Sequence, residues 1–167
     1  MASTDTAPFA VAAPPPDLAR AGEIVAAYAP LDGAALPILH ALQEAFGYVP
    51  KACDAMIASA LNLSRAEVHG LVSFYHDFRR SPPGRHVLKL CRAEACQSRG
   101  AVAQSERLLA DLGIGWGGTT ADGALTVEPA YCLGLCACGP NALLDGEPLA
   151  MLDAAGLADA VREARAA

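Results

Sequence analysis

Aromatic residues are scarce in this chain: Phe, Trp and Tyr make up 5% of its 167 residues, with a single Trp. A core with so few large rings must be packed from small aliphatic side chains, and an Ala-rich composition favours closely packed helices. Basic residues are outnumbered, 12 Lys and Arg against 18 Asp and Glu, for a net charge of −6. No basic patch stands out of the kind that neutralises phosphates, so no nucleic-acid partner is expected. No apolar run approaches the roughly 20 residues that span a bilayer, so no membrane span is expected either. The opening MASTDTAPFAVAAPPP lacks a basic n-region, a continuous apolar h-region and the arginines of a transit peptide. Residues 1–16 therefore read as a disordered Ala/Pro-rich tail, and the protein as cytoplasmic. The glycine-dense stretch Gly113-x-Gly115-x-Gly117-Gly118 does not stand at a strand-to-helix turn. It reads as a flexible loop, not a nucleotide cradle.

What is present is a globular composition, 53% hydrophobic and 18% charged, in two stretches of different character. The periodicity predicts an all-helical bundle over residues 17–80. Asp17 caps a first helix to about Tyr28, a second runs from about Ala34 to Phe46, and a third from about Lys51 to Leu61. Ser64-Arg65-Ala66-Glu67 is a capping box, and Val68, Leu71, Val72 and Tyr75 continue at helical spacing to about Phe78. On that helix His69 and His76 share a face, which suits an interface better than a metal pair. His40 and His86 are isolated. Arg79-Arg80-Ser81-Pro82-Pro83-Gly84 ends the helix and, with Arg85, reads as a solvated basic linker. The apolar faces of these helices exceed what a small bundle buries, which points to a partner surface.

Residues 84–167 read as β-α-β-β-β-α. A strand ends at Cys91, a helix runs from about Ser98 to Leu112, and a strand covers Leu125 to Val127. A hairpin turns at Asp145-Gly146, and Asp153 caps a last helix. The fold class expected is α+β, with a helical bundle followed by a small layer of helices on a sheet.

Six cysteines in a chain with no export signal argue for metal or redox chemistry over structural disulfides. Four of them form two pairs, Cys91-x4-Cys96 and Cys132-x3-Cys136, with 35 residues between the pairs. A [2Fe–2S] centre needs two thiolates on each of two irons, and two close pairs on neighbouring loops supply them. Cys96 just before a helix, glycine at Gly134 and Gly139, and the nearby Arg92 and Arg99 all suit a negative centre. Structural zinc and redox disulfides are the alternatives, although zinc knuckles usually have tighter Cys-x2-Cys spacing. Cys138 reads as a buried, inert thiol and Cys53 as core.

These residues resemble a known family, the thioredoxin-like [2Fe–2S] subunits of NAD-linked oxidoreductases. Its members include the 24-kDa subunit of NADH:quinone oxidoreductase, the matching subunit of NAD-reducing hydrogenases, and the gamma subunit of soluble NAD-dependent formate dehydrogenases. The resemblance runs from about Ile24 to the C-terminus. Phe46-Gly47-Tyr48-Val49-Pro50, Ser73-Phe74-Tyr75 with Phe78, and Thr119 to Gly123 carry it, together with both cysteine pairs. It implies a thioredoxin-like ferredoxin domain with one cluster on Cys91, Cys96, Cys132 and Cys136, and no catalytic residue on this chain. It also implies a flavoprotein partner that holds FMN and NAD. Leu133 to Pro140 and Asp145-Gly146-Glu147-Pro148 look most like the formate dehydrogenase subunit. That form implies a further partner, a molybdopterin and iron–sulfur catalytic subunit carrying the molybdenum cofactor. A stand-alone ferredoxin or a zinc-bearing interaction module is the alternative of another class.

Overall fold

Asp17 accepts hydrogen bonds from the backbone N–H groups of Ala19 and Arg20, and this cap opens helix α1, Leu18–Tyr28. The computed structural model describes residues 15–166. The tail expected over residues 1–16 therefore lies almost wholly outside the described residues. The described chain divides into two compact units, residues 15–82 and residues 83–166.

The first unit is all helical. After α1 come α2, Ala35–Phe46, a 3-10 turn at Lys51–Cys53, α3, Asp54–Leu61, and α4, Arg65–Phe74. The capping box is complete: Ser64 Oγ accepts from Glu67 N–H, and the Glu67 carboxylate accepts from Ser64 N–H. Ile38, Leu39, Leu42, Val49, Ile57 and Val68 are almost fully buried and form the core. Helix α4 stops four residues earlier than its periodicity predicts. Gln43 takes over the chain beyond it, donating to Asp77 O at 2.7 Å and accepting from Arg79 N–H at 2.7 Å. His76 consequently leaves the helix, and the shared His69/His76 face does not exist. The linker reading of the arginines also needs correction. Arg80 donates at 2.7 Å to Asp54, which is buried in the core. Cys53 is fully buried, as expected, and burial together with the Asp54 charge pushes its thiol pKa up against the opposing Arg80. Leu18, Leu31, Phe74 and Tyr75 remain exposed in this unit.

The second unit is a four-stranded sheet with helices. Its elements are β1, His86–Cys91, α5, Glu94–Gln97, α6, Ala101–Leu112, β2, Leu125–Ala130, β3, Ala142–Leu144, β4, Glu147–Leu149, and α7, Ala154–Ala166. The sheet order is β2-β1-β3-β4. β1 and β2 are parallel, joined by the α5–α6 crossover, and the other pairings are antiparallel. This is the expected α+β class. The helix predicted from about Ser98 to Leu112 is α6, starting at Ala101 after a left-handed Gly100, and the short α5 before it is not anticipated from the sequence. The β3–β4 hairpin closes through Asp145 and Gly146, both at positive φ, 52° and 91°. Such a two-residue turn matches the twist of its strands. Leu88, Leu125, Val127 and Ala142 are fully buried in the core under this sheet.

Two loops outside the strands are pinned to β2. Gly117 N–H reaches Val127 O and Val127 N–H reaches Gly118 O, so the stretch read as a flexible loop is hydrogen-bonded in place. Thr120 Oγ1 accepts from Leu125 N–H, and Asp122 pairs with Arg165 at 2.7 Å. The Thr120 hydroxyl, then Arg165 and Ala124 N–H, hold the Asp122 carboxyl well below the usual carboxylate range. Gly84 sits against β2 so closely that a Cβ there would lie 2.9 Å from Leu125 N. The atoms it would meet are all backbone of Ala124 and Leu125, which cannot move aside as a flexible side chain would. Gly84→Ala is expected to cost about 1–3 kcal/mol, read as a lowered denaturation midpoint. An unchanged midpoint would show that this contact is not tight.

Among the described residues no helix is long and apolar enough to cross a membrane.

Candidate metal centre

Both cysteine pairs leave the same end of the parallel strands. Cys91 is the last residue of β1 and lies in register with Ala130, the last residue of β2. Cys132 follows β2 by two residues, so the pairing of the strands brings the two cysteine loops side by side.

Each loop has its own local logic. Cys96 lies inside α5 and its N–H is already spent on Ala93 O at 3.0 Å. It therefore does not stand at the free N-terminus of α6, contrary to the sequence expectation. The second loop folds back at Cys132, φ 80°, and Gly134, φ 79°. A left-handed cysteine is unusual, because its Cβ crowds the following carbonyl. Nothing in the sequence signals it. Cys136 begins a 3-10 turn that ends at Cys138. Gly139 has an ordinary extended conformation, so its role is space rather than flexibility. A Cβ there would lie 3.2 Å from Cys96 Sγ.

The thiols meet as two pairs. Cys132 Sγ and Cys136 Sγ are 3.5 Å apart. Two sulfurs on one tetrahedral metal, with bonds of about 2.3 Å, stand about 3.8 Å apart. Cys91 and Cys96 lie within electrostatic reach of each other, and Cys136 within reach of both. Among the described residues no three His, Cys, Asp or Glu side chains surround one point that could hold a single ion. A two-iron centre asks for two donors per iron instead. Cys91 and Cys96 are buried, while Cys132 and Cys136 are exposed.

The surroundings treat the thiols differently. Burial raises the Cys91 thiol, but the N–H of Ala93, the Cys96 side chain and the N–H groups of Cys132 and Leu133 outweigh it. The net effect holds Cys91 below the ordinary thiol value. Burial and then the Cys91 side chain raise Cys96, against an opposing hydrogen bond from Asn141 N–H. The Cys132 side chain, by hydrogen bond and charge, raises Cys136. Neighbouring thiolates repel one another, and a metal cation between them relieves that repulsion.

The expected bystanders separate. Arg99 reaches the second loop, donating to Ala137 O at 3.3 Å. Arg92 instead lies over the Trp116 ring, 4.7 Å from its centroid. Cys138 is exposed, not buried, because its turn carries it to the surface. Asn141 also belongs to the site, and sequence reasoning misses it, since a lone Asn before a short strand carries no motif.

A small α+β layer with two cysteine pairs at one end of its sheet is the architecture of a ferredoxin built on a thioredoxin-like fold. The chain belongs to the thioredoxin-like [2Fe–2S] ferredoxin family, whose model matches residues 21–165. It is similar to the E component of NADH-quinone oxidoreductase from Pseudomonas aeruginosa, 33% identical over 114 residues, covering 68% of this chain and 69% of the relative. The same component from Escherichia coli strain K12 is 35% identical over 119 residues, covering 71% of this chain and 72% of the relative. Among solved structures it is similar to an NAD+-reducing [NiFe]-hydrogenase in the H2-reduced state, with a TM-score of 0.64 and 31% identity over 77% of this chain. The present chain spans only 22% of that hydrogenase chain.

Proposed function

We propose that Cys91, Cys96, Cys132 and Cys136 hold one [2Fe–2S] cluster and that the chain is an electron-transfer subunit of an NAD-linked oxidoreductase. The observation that carries this reading is the convergence of two thiol pairs at one end of the β1–β2 pair, with Cys132 and Cys136 at near-tetrahedral spacing. The residues fit the group. Gly139 leaves room beside Cys96 that any Cβ would fill, and backbone N–H groups aim at Cys91 and Cys96. When bound, the cluster supplies one reversible electron. The protein's part is to hold four thiolates, to donate N–H groups to the sulfur charge, and to shield Cys91 and Cys96 from water. No side chain of this chain makes or breaks a substrate bond in this reading.

FMN, NAD and the molybdenum cofactor belong to partner subunits in this proposal. The exposed Phe74 and Tyr75 of the helical unit supply apolar surface for a flavoprotein partner. Within the family, the segment Leu133 to Pro140 and the Asp145-Gly146-Glu147-Pro148 turn favour the subunit of a soluble, cytoplasmic NAD-dependent formate dehydrogenase. Its third partner is a molybdopterin and iron–sulfur catalytic subunit. Similarity to the NADH-quinone oxidoreductase components and to the hydrogenase favours a second reading, the corresponding subunit of an NADH:quinone oxidoreductase or NAD-reducing hydrogenase.

Two measurements test this. Anaerobically purified protein is expected to contain about two irons and two acid-labile sulfides per chain. Zinc in their place would sink the cluster assignment. Purification of the native complex then identifies the parent enzyme. Formate-dependent NAD reduction with bound molybdenum supports the first reading, and quinone- or hydrogen-linked activity without molybdenum supports the second.

A further inference from the structure

Asn141 lies just before β3 and is 3% exposed. It touches both ligand loops. Its carbonyl oxygen accepts from Cys91 N–H at 3.1 Å, and its own backbone N–H is directed at the Cys96 thiol. Its side-chain Nδ2 donates to Leu135 O at 2.8 Å. Leu135 O also accepts from Cys138 N–H at 3.0 Å, closing the 3-10 turn that starts with Cys136. The backbone of Asn141 thus secures the first pair, and its amide secures the turn carrying the last thiol of the second.

The other end of the amide makes the choice of residue informative. Asn141 Oδ1 is buried and has no hydrogen-bond partner among the described residues. Leu90, Leu152 and Leu157 line the same small cavity, with Gln104 and Ser105 as its other polar residues. Burying an unpaired amide oxygen costs stability, and a Leu, with the same branching and no polar atom, would avoid that cost. A side chain that works against packing while bridging a site points to a role in the site.

We propose that Asn141 is a positioning residue for the metal centre, its side-chain amide clamping the Cys136 turn against the loop that carries Cys91 and Cys96. This rests on the reading that these cysteines hold a cluster. Backbone contacts survive any substitution, so the variants isolate the amide.

The experiment uses the full chain, loaded anaerobically with iron and sulfide, as wild type, Asn141→Leu and Asn141→Asp. Three quantities are read: the half-time of iron release to a chelator, the reduction potential from an EPR-monitored titration, and the thermal midpoint of the unloaded chain. Both variants are expected to release iron about 10-fold faster or more, the range typical of lost outer-shell partners. Both potentials shift, and Asn141→Asp shifts downward because it places a carboxylate beside an anionic centre. The unloaded midpoint of Asn141→Leu is expected to equal or exceed that of wild type, opposite in sign to the site effect. Release rates and potentials unchanged in both variants would overturn the proposal. So would faster release that merely tracks an equal fall in the unloaded midpoint. If Asn141→Leu does not fold, the near-isosteric Asn141→Asp carries the same test. A wild-type chain that takes up no iron and sulfide overturns the cluster reading and this proposal together. A loaded wild type with unaffected variants overturns this proposal alone.

Discussion

Cys136→Ser is expected to abolish most of the cluster's visible absorbance and EPR signal, whereas Cys138→Ser leaves both intact. The two thiols are separated by one residue and are both exposed, so nothing in their accessibility distinguishes them. Their contacts do. Cys136 Sγ stands 3.5 Å from Cys132 Sγ and in electrostatic reach of Cys91 and Cys96. Cys138 contributes through its backbone, accepting from Met151 N–H at 2.7 Å, and a serine keeps that bond. A serine hydroxyl at position 136 is a harder, far less acidic donor than a thiol and holds iron poorly beside three soft thiolates. Iron and sulfide content, measured with the spectra, separates lost binding from altered colour. Equal retention in both variants would mean that Cys138 substitutes for Cys136, and the four-ligand assignment would have to be redrawn.

The second large effect concerns the sheet beneath the site. Leu88→Ala is expected to destabilise the protein by about 2–5 kcal/mol, as truncation of a fully buried Leu does in close-packed cores. Leu88 is fully buried at the centre of β1, opposite Val127 of β2 and Leu144 of β3. That is a large share of the roughly 5–15 kcal/mol that separates folded from unfolded domains. Met151→Ala is the control. Met151 is 74% exposed in the same unit and should change stability by no more than about 0.5 kcal/mol. Denaturant midpoints on the unloaded chain check both. The loaded protein should lose less, because a group bound only by the folded state adds to its stability. Equal midpoints for the Leu88 variant and wild type would show that β1 is not held by this core.

Features decided by neighbours in sequence are legible without the structure. The Ser64–Glu67 box, the Asp17 cap and the Asp145-Gly146 turn each act within a few residues, so the sequence window contains the whole cause. The end of α4 is not legible, because Gln43 sets it from 34 residues away. The salt bridge between Arg80 and buried Asp54 escapes for the same reason: a run of arginines looks solvated until the chain brings a carboxylate to it. At the site, the spacing of the cysteines makes the pairs visible. The left-handed backbone of Cys132, the exposure of Cys138 and the bridging by Asn141 depend on how the two loops fold against each other. No local pattern encodes that.

The register of Cys91 with Ala130 also dictates an order of events during biogenesis. In an unfolded chain the two thiol pairs are separated by 35 residues and wander independently. They become neighbours only when β1 and β2 align side by side, and a parallel pairing of that kind must close a long crossover connection, which is slow. If these cysteines hold the proposed cluster, its loading is expected to be a late step. A scaffold delivering iron and sulfide meets either a chain with half a site or a finished sheet with a complete one. Partially loaded, half-coordinated species should be transient, and loading should report on completed folding of residues 83–166.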